Sequence, residues 1–152
     1  INSYAAEHPD FIIQASELFG RQSLIVCIDA RKNWLGGYEV CIEGGRKRTG
    51  LDPVRFAVLM EEKGAGEILI NSMDRDGTME GYDIGLIRSI TRAVTVPVIA
   101  CGGAGRLEDF SEAVNMGGAS AVAAGSKVVY QGKNRAVLIN FPTPEELARV
   151  FN

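Results

Sequence analysis

The chain has 152 residues, 46% of them hydrophobic and 23% charged, with 16 lysines and arginines against 19 aspartates and glutamates. That is the make-up of an ordinary globular domain, and it excludes a disordered, collagen-like or disulfide-scaffold chain. A net charge of −3 argues against a general nucleic-acid binder, which needs a basic surface, and no apolar run approaches the ~20 residues of a membrane span.

In chain order, a helix is predicted after Pro9, where Phe11, Ile12, Ala15, Leu18 and Phe19 recur at helical spacing. Ser23 to Ile28 is a short Val/Ile-rich run and reads as a strand buried on both faces. The long stretch from Lys32 to Gly50 then holds Tyr38–Ile42 and Arg46–Thr49 on either side of Gly44-Gly45, a hairpin inserted near residues 36–50. Asp52-Pro53 is an N-cap with a first-turn proline, opening a helix that runs to about Lys63 and stops at Gly64. Further strands are read at Glu67–Ile70, Val96–Ala100 and Ala119–Ala123, with apolar helix stripes at Ile84–Val94 and Leu107–Val114 between them. Thr143-Pro144-Glu145-Glu146 is a capping box that starts a last short helix. Strands alternating with helices mean repeated βα units and a parallel sheet, in one domain over residues 1–152.

Polar residues collect just after the predicted strands, where parallel α/β folds bind their ligands. Asp29 follows the first strand, and a carboxylate there serves either as a general acid/base or as a cap or ion-pair partner of Arg31 or Lys32. Asn71, Ser72, Asp74 and Asp76 follow the second; Asp74 and Asp76 also fit an Asx-type turn with Gly77. Cys101-Gly102-Gly103-Ala104-Gly105 follows the third strand and Ala124-Gly125-Ser126 the fourth. Glycine loops at two consecutive strand ends suit a phosphate, although each alone also fits a tight turn. Asn2 and Ser3 could bind an anion at the end of a truncated strand. The Arg46-Lys47-Arg48 run either guides an anionic ligand or forms a solvated face, and His8 is read as a surface residue. Three scattered cysteines, Cys27, Cys41 and Cys101, fit a reducing cytoplasm rather than a disulfide framework, and the pattern contains no metal-ligand cluster.

Asp74-Arg75-Asp76-Gly77-Thr78, together with Ile28-Asp29-Ala30-Arg31-Lys32, Gly81-Tyr82-Asp83 and Cys101-Gly102-Gly103-Ala104-Gly105, resembles the HisF family, the cyclase subunits of imidazole glycerol phosphate synthase. The opening Ile1-Asn2-Ser3-Tyr4-Ala5-Ala6, which lacks an initiator methionine, is similar to the end of that family's fourth strand. The resemblance implies a (β/α)8 TIM-type barrel, normally roughly 250 residues long, of which this chain is the C-terminal half, strands five to eight. It implies a cytoplasmic lyase/cyclase subunit of a glutamine amidotransferase complex, without a cofactor or metal. A HisH-type glutaminase partner supplies ammonia to a bis-phosphorylated ribulosyl substrate, and ring closure yields imidazole glycerol phosphate. It further implies that Asp29 is one of two catalytic aspartates, the other lying outside this sequence, so that the fragment alone is inactive. Asn2 and Ser3 match one phosphate site, Gly102, Gly103, Ala124 and Gly125 the other, and Asn71 and Asp76 line the pocket between them. The hairpin is expected to fold over bound substrate.

The tail from Val129 to Pro142 departs from this pattern and is similar to WbuZ-type paralogues associated with amidation of a sugar precursor in surface-polysaccharide synthesis. A third reading, from a different class, is a non-catalytic half-barrel that binds phosphate and dimerises to cover its open sheet edges.

Overall fold

The computed structural model describes residues 1–132 and 135–151. It runs α1 (Ser3–Glu7), α2 (Phe11–Phe19), a single 3-10 turn, β1 (Ile25–Lys32), β2 (Tyr38–Ile42), β3 (Lys47–Arg48) and α3 (Pro53–Lys63). There follow β4 (Glu67–Ser72), α4 (Ile84–Thr91), β5 (Val98–Cys101), α5 (Glu108–Asn115), β6 (Ala121–Val122), α6 (Ser126–Val129), β7 (Tyr130–Gln131), β8 (Ala136–Val137) and α7 (Pro144–Phe151). β1, β4, β5 and β6 are parallel neighbours in that order, and β2 and β3 extend the same sheet antiparallel beyond β1. Parallel neighbours joined through helices are the βα units read from the sequence, and the architecture is that of a TIM-type barrel segment.

The caps explain the helix limits. The Asp52 side chain accepts the Arg55 N–H at 2.9 Å, Pro53 opens α3, and Gly64 ends it in a left-handed conformation. Thr143 and Glu146 bond reciprocally, side chain to backbone N–H in both directions, which makes the predicted capping box of α7. Asp83 likewise caps α4 by accepting the Leu86 N–H.

One sheet face is covered by helices. Val26, Ile28, Ala30, Ile68, Ile70, Val98 and Ala100 alternate along the strands and pack against Phe56 and Met60 of α3, Leu86 and Ile90 of α4, and Phe110 of α5. Each of the larger of these side chains contributes about 1.5–3 kcal/mol when removed from water, so this face holds the fold together.

The other face corrects two expectations. The first strand is not buried on both faces: Ile25 is 41% exposed and Cys27 only half-buried, as is Leu69 beside it on β4. Among the described residues, the helical layer lies on one side of the sheet. Nor does β1 end before Asp29. It continues to Lys32, because β2 pairs with its second half from Asp29↔Cys41 to Lys32↔Tyr38 and extends the ladder. The first half of that same edge is held by Ile1, whose backbone donates to Ile25 O and accepts from Cys27 N, a parallel bridge opposite Val26. Ala119–Ala123 shortens to Ala121–Val122, since β6 has a ladder partner on one side only.

Candidate functional site

Register places the site. Cys41, Asp29, Asn71 and Cys101 are paired in sequence across β2, β1, β4 and β5, so their side chains form one row on the open face, at the carboxyl ends of the parallel strands. Asp29 is central and nearly inaccessible, at 6% exposure. Its Oδ1 accepts from Asn71 Nδ2 at 2.8 Å, and its Oδ2 accepts from Asn2 Nδ2 at 2.9 Å. Neither Arg31 nor Lys32 pairs with it. Arg31 reaches Asp74 at 3.7 Å, and the Lys32 backbone N–H donates to Asp74 at 2.7 Å. Asp74 therefore ties the loop after β4 to the end of β1, a longer-range role than an Asx turn. The alternatives left open for Asp29 resolve in favour of a carboxylate oriented by two neutral amides, with no ion-pair partner among the described residues.

The row also conditions its neighbours. The Cys27 thiol, one step towards the amino end on the same face, is pushed up to about 12, first by burial, then by the negative charge of Asp29 and by the neighbouring Cys101. Cys101 is raised as well, chiefly by burial and next by Asp76. Both thiols are therefore held in the neutral form, unsuited to nucleophilic work. The Asn71 Oδ1 atom is buried without a hydrogen-bond partner and lies against Gly102.

The second group of expected residues forms a recess at the Cys101 end of the row. Asp76, Cys101, Gly102, Gly103, Ala124 and Gly125 line it together with Ser126. The glycines are not equivalent. Gly103 has φ +112°, and a Cβ there would stand 2.2 Å from the Gly81 carbonyl oxygen, whose own N–H donates to Gly103 O at 2.8 Å. That glycine is required for the backbone of two loops to touch. Gly125 has φ −100° and nothing within 4 Å of where a Cβ would be. No packing reason demands a glycine there, whereas a bare backbone open to the recess leaves room for a ligand.

Asn2 and Ser3 lie apart from the recess, on the β1 side of Asp29. Asn2 spends its amide on Asp29, and the Ser3 hydroxyl accepts the Glu43 N–H of the hairpin turn at 3.0 Å. The two expected phosphate groups thus sit at opposite ends of the Asp29–Asn71–Cys101 row. Lys47 and Arg48 of the basic run are paired with Glu7 and Glu39 on the surface.

Several structural residues escaped the sequence reading. Tyr38 donates to the Asp83 carboxylate at 2.8 Å and fastens the base of the hairpin to the start of α4. Asp109, 2% exposed, accepts the Gly105 and Arg106 N–H groups and shapes the loop after β5. The Asp-x-x spacing at Asp52 and Asp83 is a usable signal for the caps of α3 and α4, but nothing local points to Tyr38. Lys133 and Asn134, part of the divergent tail, lie outside the described residues. Among the described residues no group of three or more His, Cys, Asp or Glu side chains is placed to hold a metal ion, and no helix is long and apolar enough to cross a membrane.

A parallel βα array whose polar side chains gather at the carboxyl ends of its strands falls in the class of TIM-type barrel proteins. The sequence model of the family described as "Histidine biosynthesis protein" matches residues 1–135. A relative named imidazole glycerol phosphate synthase subunit HisF, from Streptomyces griseus subsp. griseus, is 51% identical over 124 residues, 82% of this chain and 49% of the relative. The chain belongs to the histidine biosynthesis protein family, on its HisF branch. It spans about half the length of that curated relative.

Proposed function

We propose that the chain forms the Asp29 half of a HisF-type cyclase site, which joins ammonia to a bis-phosphorylated ribulosyl aminoimidazole carboxamide substrate and closes the imidazole ring of imidazole glycerol phosphate. The observation that carries this reading is the Asp29 carboxylate, held by the Asn2 and Asn71 amides on the row that joins the two candidate phosphate ends. Ring closure with elimination needs a group that accepts and returns a proton beside the reacting atoms, and an oriented carboxylate without a neutralising cation suits that task. Two anchors at the ends of a long substrate turn binding energy into orientation across the row. One anchor is built around Asn2 and Ser3, and the other is the Gly102, Gly103, Ala124 and Gly125 recess beside Asp76. In this reading a second aspartate completes the chemistry from outside this chain, a HisH-type glutaminase subunit supplies the ammonia, and the assembly works in the cytoplasm.

The test is Asp29→Asn in the full-length protein, with ammonium salts as nitrogen source. Turnover should fall by ~10²–10⁴-fold, the usual contribution of a positioned acid or base, with substrate affinity little changed. Undiminished turnover would remove Asp29 from the mechanism.

A second reading is supported by the divergent tail from Val129 to Pro142, the later part of which, after residue 135, lies beyond the family match. In that reading the same barrel delivers ammonia to a sugar precursor for surface polysaccharide. Complementation of a histidine auxotroph by the full-length gene with its glutaminase partner separates the two: growth supports the histidine enzyme, and failure with folded protein supports the sugar-directed paralogue.

A further inference from the structure

The β2–β3 hairpin turn lies over the site rather than away from it, and its attachments are specific. Glu43, Gly44 and Gly45 all have positive φ, from +57° to +83°, so the turn holds a sparsely populated backbone shape. It is tied down at three places. The Glu43 N–H donates to Ser3 Oγ at 3.0 Å, Arg31 donates to Gly45 O at 3.4 Å, and a Cβ on Gly45 would meet the Met73 methyl at 2.6 Å. Met73 in turn accepts from Asn71 Nδ2 at 3.5 Å, so the turn rests on the side chains that surround Asp29.

The Ser3 contact has a chemical asymmetry. A serine hydroxyl carries one proton and two lone pairs. Among the described residues its oxygen only accepts, from Glu43, and its own proton has no assigned acceptor. An anion bound at Asn2–Ser3 would take that proton, and a hydroxyl donating to an anion becomes a stronger acceptor for the Glu43 N–H behind it. We propose that Ser3 is a positioning residue that couples an anion held at Asn2–Ser3 to closure of the hairpin over Asp29. The inference rests on the reading of Asn2 and Ser3 as a phosphate end. It adds to that reading a direction of control: the substrate's own phosphate fastens the cover over the reacting centre and excludes water from it.

The test uses the full-length protein and inorganic phosphate as the probe, with amide hydrogen exchange at Glu43 and the Asn2 and Ser3 amide shifts followed together by NMR. Saturating phosphate should shift the Asn2 and Ser3 amides and slow exchange at Glu43 by up to roughly twofold, the size of strengthening a hydrogen bond already formed. Ser3→Thr keeps the hydroxyl and should keep the slowing. Ser3→Ala, brought to saturation at higher phosphate, should lose it. Saturable shifts at Asn2 and Ser3 with unchanged exchange at Glu43 would overturn the coupling while leaving the phosphate reading intact. Slowing that persists in Ser3→Ala would overturn the role of Ser3. Absence of shifts at Asn2 and Ser3 would overturn the phosphate reading, and the coupling with it.

Discussion

Asn71 and Asp29 are register partners on adjacent parallel strands, and the Asn71 amide donates to the Asp29 carboxylate at 2.8 Å. The bond depends on Asn71 being neutral and a donor. Asn71→Asp would set a second carboxylate at the same distance, where two like charges cannot both ionise freely and one proton is retained to higher pH. In the full-length enzyme the acid limb of the kcat/KM profile should move to higher pH, with turnover at neutral pH reduced by about 10- to 100-fold. A profile that superimposes on the wild type would show that Asn71 does not bear on the reacting carboxylate.

Cys27 reports on the charge at Asp29. Its thiol is pushed up to about 12 by burial, then by Asp29 and Cys101, so alkylation by iodoacetamide at pH 8 should be roughly a thousandfold slower than for an ordinary thiol. Asp29→Asn removes one of the raising charges and should speed modification of Cys27, measured by peptide mass spectrometry. Burial acts first, so the acceleration is partial. An unchanged rate in a folded variant would mean that Asp29 carries no charge felt at Cys27.

The two glycine loops should separate on mutation. Gly103→Ala forces a Cβ against the Gly81 carbonyl at positive φ and should destabilise the protein by about 2 kcal/mol or more. Gly125→Ala meets open space at an ordinary φ and should change stability by less than about 0.5 kcal/mol. If the recess holds a phosphate, the same change should weaken phosphate binding severalfold. Urea melts and phosphate titrations of both variants decide between a packing role and a binding role at each position.

Glu61 predicts an acid-sensitive contact far from the site. Burial raises its carboxyl, but the Thr95 hydroxyl and the Thr95 and Val96 N–H groups outweigh it and hold the carboxyl below its ordinary value of 4.5. A carboxyl lower in the folded than the unfolded state stabilises above the unfolded value, and that stability is lost as pH falls through the folded one. Urea midpoints measured from pH 7 down to about pH 3 should fall less steeply in Glu61→Gln than in the wild type. Parallel curves would mean that Glu61 titrates alike in both states.

Much of the architecture was legible because its signals are local. Asp52-Pro53 and Gly64 bound α3, and Thr143 with Glu146 opens α7, through contacts spanning three residues or fewer. The Gly44-Gly45 turn marked the hairpin in the same way. Asp29 stood out as a carboxylate on an apolar strand, but its place relative to the strand end was misread. What extends β1 past it is the pairing of β2, and pairing is not written in the β1 residues themselves. Tyr38 and Asp83 are separated by 45 residues and carry no local mark of their contact.

A length of 152 residues with a balanced composition determined by itself that this is a βα-repeat chain of globular type, because hydrophobic period, caps and turns act over a few residues. Its motifs marked the polar residues at the strand ends. Only the tertiary structure decided how those residues are grouped: Asn2, Asp29, Asn71 and Cys101 along one open face, the glycine loops in a recess at its Cys101 end, and the hairpin turn bonded to Ser3. The reason is that strand register and loop-to-loop packing join residues tens of positions apart, and they are set by the whole sheet rather than by any segment of it.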